Sequence, residues 1–423
     1  MKNSNIQWIG DIPDDWEVMP NKYVMCKKKD ICSHYNGENI LSLTMNGVIV
    51  RDLDAGGKIP ATFNGYQYIH PNNLLMCLFD YDVTPRCIGL IKNEGVTSPA
   101  YSQFVLKNGN NPSYYYYYYL MLDNTKELLH LAKNLRHSFT EEQLGVIPVC
   151  VPPLATQTSI ATYLDAKCSE IDGLIADINK QIETLNELKK STITEAVTKG
   201  LNKNAKLKDS GIQWIGMIPE GWRVSRVKYL VDSITKGNGI TKEQVYEDGD
   251  IDCVRYGEIY SKYNNKITTC LSKTRSNEIL SPKTISYGDI LCAGTGELIE
   301  EIGKNVVYLG ENKSLAGGDI IIIKHKQEPS FLNYLLNSNY VQSQKGSGKL
   351  KLKVVHISGM EIGNLVIALP PLTEQRDIAT YLDTKCTEFD SIISDKRKQI
   401  STLEAYKKSL IYEYVTGKKE VEL

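Results

Sequence analysis

The chain is written twice. The segment IQWIGDIPDDWEV, Ile6 to Val18, returns as IQWIGMIPEGWRV, Ile212 to Val224, 206 residues on, with both tryptophans and the Ile-Pro dipeptide kept. A longer segment, PPLATQTSIATYLDAKCSEID from Pro152 to Asp172, returns as PPLTEQRDIATYLDTKCTEFD from Pro370 to Asp390, 218 residues on. The order is therefore segment, variable stretch, second segment, twice over, which restricts the fold to two copies of one plan. At 423 residues the chain also exceeds what a single hydrophobic core covers.

Fainter echoes run through the variable stretches. Asn73 to Cys77 parallels Asp289 to Ala293, Ile88-Gly89 parallels Ile302-Gly303, and Pro112-Ser113-Tyr114 parallels Pro329-Ser330-Phe331. These echoes imply two domains of similar fold. The halves differ most between Leu78 and Cys87 and between Gly294 and Glu301, and variable loops on a repeated scaffold are where different targets are read.

After the first Pro-Pro the apolar residues Ile171, Ile175, Ile178, Ile182 and Leu185 step by three and four, and after the second Phe389, Ile393, Ile400, Leu403 and Leu410 occupy the matching places. The spacing predicts helices from about Glu170 to Lys199 and from about Glu388 to Gly417, each roughly 45 Å long. Neither can bury its stripe alone, so an antiparallel coiled-coil-like pair related by a pseudo-twofold axis is expected. The rest reads as short strands with a late helix, for example strands at Ile251–Tyr256, Asp289–Cys292 and Asp319–Ile323 and a helix at Phe331–Ser343. The expected fold is α+β: residues 1–151 and 212–369 as two globular domains of similar fold with their leading repeat segments. Residues 152–200 and 370–423 are the long helical regions, and 201–211 a linker.

Composition narrows the function. A net charge of −1 excludes an all-over electrostatic grip on nucleic acid, so any DNA-facing patch must be local. No apolar run reaches the ~20 residues of a membrane span, and Met1–Gly10 lacks the pattern of a secretory leader, so a cytoplasmic protein without membrane contact is expected. The 10 cysteines stand singly, with no C-x-x-C pair, and read as small buried apolar residues.

The alternation of W-I-G-x-I-P-x-x-W and P-P-L-x-x-Q-x-x-I-A-x-Y-L-D, each of the latter running into a long helix, resembles the specificity subunit of type I restriction-modification systems. The resemblance covers the whole chain and is loosest in the variable domains. It implies a non-catalytic subunit in which each domain reads one half of a bipartite, asymmetric site in double-stranded DNA. The helices would set the spacer, and the repeated segments would dock two methyltransferase subunits. This chain would carry no cofactor: S-adenosylmethionine, ATP and Mg would belong to the methyltransferase and motor-nuclease partners. One departure is Thr156-Gln157 where the second copy has the more typical Glu374-Gln375, which bears only on a contact at the helix start.

Rival motifs have simpler readings. Asn111-Pro-Ser-Tyr114 is close to the N-P-P-Y loop that holds a flipped adenine in amino-methyltransferases. Its counterpart is Glu328-Pro-Ser-Phe331, however, and a helix start explains both. Ala293-Gly-Thr-Gly-Glu297 lacks the spacing of a nucleotide loop and reads as a turn. The acidic run Glu247–Asp252 reads as a solvated loop, and Tyr114–Tyr119, six tyrosines in succession, as packing around a helix. The alternatives are a self-sufficient DNA methyltransferase or nuclease with its own recognition domains, and a coiled-coil adaptor. Base-reading candidates near the variable loops are Arg51, Asn64, Arg86 and Arg136 in the first domain and Lys236, Arg255, Lys349 and Lys351 in the second, because Arg and Lys pair with guanine edges and Asn with adenine.

Overall fold

The computed structural model describes residues 1–54, 59–132, 137–350 and 354–421, and divides the chain into two compact units, Met1–Asn179 with Arg397–Leu423, and Lys180–Lys396. Each unit thus holds a globular domain together with parts of two long helices, Leu154–Lys199 and Leu372–Val415.

In the first unit an antiparallel sheet runs in the order Met25–Lys28, Ser102–Leu106, Leu74–Met76, Ile88–Leu90. The helix Pro112–Thr125 packs on it and carries the six tyrosines. Successive helical residues point 100° apart, so the run faces every direction, and all but Tyr116 are buried. That is possible because the helix is enclosed: its neighbours in one core include Leu74 and Ile88 of the sheet and Ile160, Leu164 and Ile171 of the first long helix. The leading repeat segment closes the same core. Trp16 is buried with Leu410, Ile411 and Val415 of the second long helix, and Glu17–Pro20 pairs with Pro148–Val151. Gly417, at φ +70°, ends that helix in a left-handed conformation against Pro13 and Trp16, where a Cβ would collide.

In the second unit a sheet runs Val231–Lys236, Ile320–His325, Ile290–Ala293, Asn305–Tyr308, with Lys266–Ile267 added in parallel at the edge. A second sheet, in the order Ser272–Thr274, Ile251–Val254, Ser314–Ala316, Thr284–Ile285, stands beside it. Trp222 is buried with Ala196 and Val197 of the first long helix, and Arg223–Arg226 pairs with Val366–Leu369. Short helices before these return strands are closed by capping boxes in both units, Thr140 with Gln143 and Ser358 with Glu361.

The helix segments within each unit run antiparallel. In the first, Tyr163 packs against Tyr414, the rings tilted by 38° with centres 4.5 Å apart, and Lys407 Nζ reaches Asp172 at 2.6 Å. In the second, Lys396 Nζ donates to Gln181 Oε1 at 2.5 Å and Lys189 pairs with Asp390 at 2.6 Å.

The elements differ from the sequence reading in several places; the strand expected over Ile251–Tyr256 stops at Val254, because Tyr256 opens the short helix Tyr256–Ser261. Both long helices begin about four turns earlier, at Leu154 and Leu372, because their opening turns bury Ile160 and Leu164, or Ile378 and Leu382, in a domain core and not in a helix seam. The stretch expected as a linker carries a strand, Leu207–Asp209, paired with Met217–Pro219; its charged side chains are exposed, so its composition imitates a linker. The helix expected over Phe331–Ser343 is two helices, Pro329–Leu336 and Asn339–Gly346. Asn337 between them turns aside to pair with the backbone of Asn305, accepting from its N–H at 2.9 Å and donating to its carbonyl at 2.9 Å.

Candidate nucleic-acid interface

Each domain meets its long helix through the same set of polar contacts. Gln157, 1% exposed, accepts from Asn111 N at 2.9 Å and donates to Pro152 O and Asn110 Oδ1, both at 2.9 Å. Gln375, also 1% exposed, accepts from Glu328 N and donates to Pro370 O and Gln327 Oε1, all at 3.0 Å. Two turns along, Tyr117 donates to Asp165 Oδ1 at 2.8 Å and Tyr334 to Asp383 Oδ1 at 2.8 Å. The exchange of Glu374 for Thr156 leaves the glutamine bonds intact. What Glu374 adds is a bond from Trp222 Nε1 at 2.9 Å.

Asn111 and Glu328 are the N-caps of the helices Pro112–Thr125 and Pro329–Leu336, accepting from Tyr114 N at 3.1 Å and Phe331 N at 2.5 Å. Their side chains are therefore spent on helix starts. Among the described residues no group of three or more His, Cys, Asp or Glu is placed to hold a metal ion, and no helix is long and apolar enough to cross a membrane.

In the first unit the variable turn 79–86 is pinned at both ends. Asp82 pairs with His137 at 2.8 Å, Lys126 Nζ donates to Thr84 O at 2.8 Å, and Asp123 accepts from Cys87 N at 2.9 Å. Arg86 belongs to this anchor: its guanidinium lies 3.9 Å from the buried Asp123 carboxylate and against Tyr116. Burial pushes the Cys87 thiol up to about 12, which leaves it an inert packing group. Arg51 follows the hairpin Leu41–Thr44, Gly47–Val50, its N–H donating to Ile40 O at 2.7 Å. Asn64 is exposed and ties two loops by accepting from Tyr35 N at 2.8 Å. Both border the small core of Cys32, Ile40, Phe63 and Val96, apart from Arg86. Arg136 lies outside the described residues, as does Lys351 in the second unit.

The second unit brings its candidates closer together. A groove of about 450 Å³ is lined by Lys236, Thr295, Asp319, His356 and Glu361. Lys236, its side chain 67% exposed, pairs with Asp319 at 2.8 Å on the rim. Lys349 is drawn inward, donating to His356 O at 2.5 Å and Glu361 Oε1 at 2.7 Å. The Gly-Thr-Gly turn contributes Thr295, whose hydroxyl lies 3.1 Å from His356 Nδ1, and Thr295-Gly296 pairs as a short strand with Val355-His356. Arg255 approaches the neighbouring glycine turn: a Cβ on Gly317 would lie 3.6 Å from its Cγ, and Gly237 packs directly on the Gly317 carbonyl. Its Nη2 lies 3.4 Å from Glu258 Oε1. Burial opposes the Glu258 charge, but bonds from Ser272 and Arg255 and the charges of Arg255 and Lys262 outweigh it and hold the carboxyl below its usual range.

Sequence reasoning missed the polar joints. Gln157, Asp165, Gln375 and Asp383 all stood inside the matched repeat, and retention of polar residues on a helix about to bury its first turns was the signal available. Tyr117 and Tyr334 stand three residues after the matched Pro-Ser-aromatic echo and were hidden in one case by the tyrosine run.

The type I restriction modification DNA specificity domain matches residues 87–184 and 219–402, about two thirds of the chain, and the chain belongs to that family. It is similar to the type I restriction enzyme MjaVIII specificity subunit of Methanocaldococcus jannaschii, 30% identical over 288 residues. That match covers 65% of this chain and 63% of the relative, so the chain spans somewhat under two thirds of that protein's length. It is 27% identical to the putative MjaX specificity subunit of the same organism, over 98% of this chain and 96% of that one. In fold it resembles a chain from a type I R-M system solved for its complex assembly and conformational transition, with TM-score 0.71, 14% identity, and 96% and 98% of the two chains covered.

Proposed function

We propose that this chain is the DNA-reading, non-catalytic subunit of a type I restriction-modification complex. Residues 1–151 and 212–369 are its two target-recognition domains, each reading one half of a bipartite asymmetric site in double-stranded DNA. The long helices set the spacer, and the repeated segments dock two methyltransferase subunits. S-adenosylmethionine, ATP and Mg serve those subunits and the motor-nuclease partners. The single observation that carries this reading is the duplicated joint of domain and helix, Gln157 with Tyr117–Asp165 and Gln375 with Tyr334–Asp383, in a chain of the DNA specificity family. Two identically mounted domains with different loops are what a site of two unlike halves requires.

Base reading is assigned to Arg51, Asn64, Arg86 and Arg136 and to Lys236, Arg255, Lys349 and Lys351. Lys236 is well exposed, whereas Arg86 and Lys349 are drawn toward Asp123 and Glu361 and offer less of their charge to DNA. The test is methylation-sensitive sequencing of DNA from cells expressing this chain with its methyltransferase partner, against cells lacking this chain. The expected result is a bipartite adenine motif with a fixed gap, present only with the chain. A continuous motif that persists without it would overturn the proposal.

A further inference from the structure

The polar joint does more than attach a domain. Apolar contact between the tyrosine helix and the long helix supplies most of the cohesion, and hydrogen bonds add direction to it. Hydrogen bonds are directional, and each unit has two sets of them at separate points along one helix. Gln157 and Asp165 stand eight residues apart, roughly 12 Å along the axis, as do Gln375 and Asp383. Two directional anchors at that separation, added to the shared core, restrain both the position and the tilt of a domain on its helix; losing one loosens that restraint. The second anchor in each unit joins a phenol to a carboxylate, a stronger class of bond than one between neutral groups. Around these anchors the domains diverge in loops and in edge strands, yet donors, acceptors and distances at the joint coincide.

We infer that Tyr117–Asp165 and Tyr334–Asp383, acting with Gln157 and Gln375, are positioning contacts that determine how strictly the spacer between the two half-sites is measured. This rests on the proposed DNA-reading function. Adding one base pair to a spacer displaces a half-site by about 3.4 Å and rotates it by about 35° around the duplex. A domain held less tightly on its helix tolerates more of that change than one held at both anchors. The hydroxyls of Tyr117 and Tyr334 touch no loop assigned to base reading, so they govern the spacer and not the half-site sequence.

The experiment uses the full chain assembled with its methyltransferase subunits, and DNA carrying both half-sites with the native spacer or one base pair more or less. The readout is the methylation rate on altered spacers divided by that on the native spacer. Tyr117→Phe, which loses only a hydroxyl, is expected to raise this ratio at least about fivefold, the equivalent of one ordinary hydrogen bond and the lower bound for a charge-assisted one. Tyr334→Phe is expected to do the same. Asp165→Leu should match Tyr117→Phe, while Asp165→Asn, which keeps an acceptor, should stay near wild type. A uniform loss of rate on all three spacers, or an unchanged ratio in both Tyr→Phe variants, would overturn the inference. Should Asp165→Leu fail to fold, the Tyr→Phe pair still decides. Wild-type protein indifferent to spacer length would instead overturn the functional reading, and the two failures are distinct.

Discussion

Asn111 and Glu328 open equivalent helices with different side chains, and this settles what the Asn-Pro-Ser-Tyr motif is for. Each accepts from the backbone N–H three residues on, the bond that a helix N-cap makes. Asn111→Ala is therefore expected to cost about 1 kcal/mol in urea unfolding, with methyl transfer by the assembled complex unchanged under folding conditions. Abolished transfer with an intact fold would return the motif to catalysis. Glu328 differs in charge as well as shape: burial raises its carboxyl above the usual range, against opposing bonds from Phe331 and Ser330 N–H. A folded-state value above the unfolded one means that the group favours folding most below the unfolded value, about 4.5, and that this contribution is lost as pH rises through the folded value. Relative to Glu328→Gln, wild type should lose stability between pH 4 and pH 7. A difference in urea midpoints that stays flat across that range would contradict the assignment.

At the scale of elements, the tyrosine helix shows how much pattern reading can recover. Six tyrosines in succession have to surround a helix, so enclosure was legible from geometry alone, and so were the two helix starts and the long apolar stripes. The early turns of the long helices were not, because a seam and a core-facing surface both use Ile and Leu, and only the seam repeats far enough to be noticed. Nor was the strand Leu207–Asp209, whose pairing satisfies the backbone while its side chains remain solvated. The groove around Lys236 and Thr295 joins residues remote in sequence, which no spacing argument reaches. Enclosure also has a titration consequence. Burial drives the phenols of Tyr114, Tyr118 and Tyr119 well above their ordinary range and the Cys150 thiol up to about 12. Groups raised in the folded state stabilise it fully below their unfolded values, near 9 for the thiol and 10 for the phenols, and progressively less above them. The urea midpoint should therefore fall between pH 8 and pH 10.5, and fall less in Cys150→Ala; an equal fall in both would exclude the thiol. The long helices offer their own test. Inserting four residues, roughly 6 Å, into both is expected to lengthen the tolerated spacer by about one or two base pairs with each half-site sequence unchanged. A changed half-site would sink the spacer role.

For the whole molecule, duplication separates what is read from how it is held. The first domain is joined to the rest of its unit at a few places: Gln157 to the backbone before the tyrosine helix, Tyr117 to Asp165, Tyr114 to Val415 O at 3.0 Å, Tyr119 to Asn21, and the strand Pro148–Val151 to Glu17–Pro20. The turn 79–86 and the loops bearing Arg51 and Asn64 take part in none of these contacts. Replacing Lys22–Cys150 by the corresponding domain of another family member should then alter one half of the recognised motif and leave the other half intact, because a second unit with its own sheet and joint is untouched. The joint sets a condition on the exchange. An incoming domain needs a phenol where Tyr117 stands and a free backbone N–H where Asn111 stands, since Phe at the first position leaves Asp165 without its donor and proline at the second leaves Gln157 without one. Motif sequencing of such chimeras checks both parts. Donors that keep the phenol should methylate a hybrid motif at the native gap, and donors without it a hybrid motif with a looser gap. A chimera that changes both half-sites would show that the domains do not read independently.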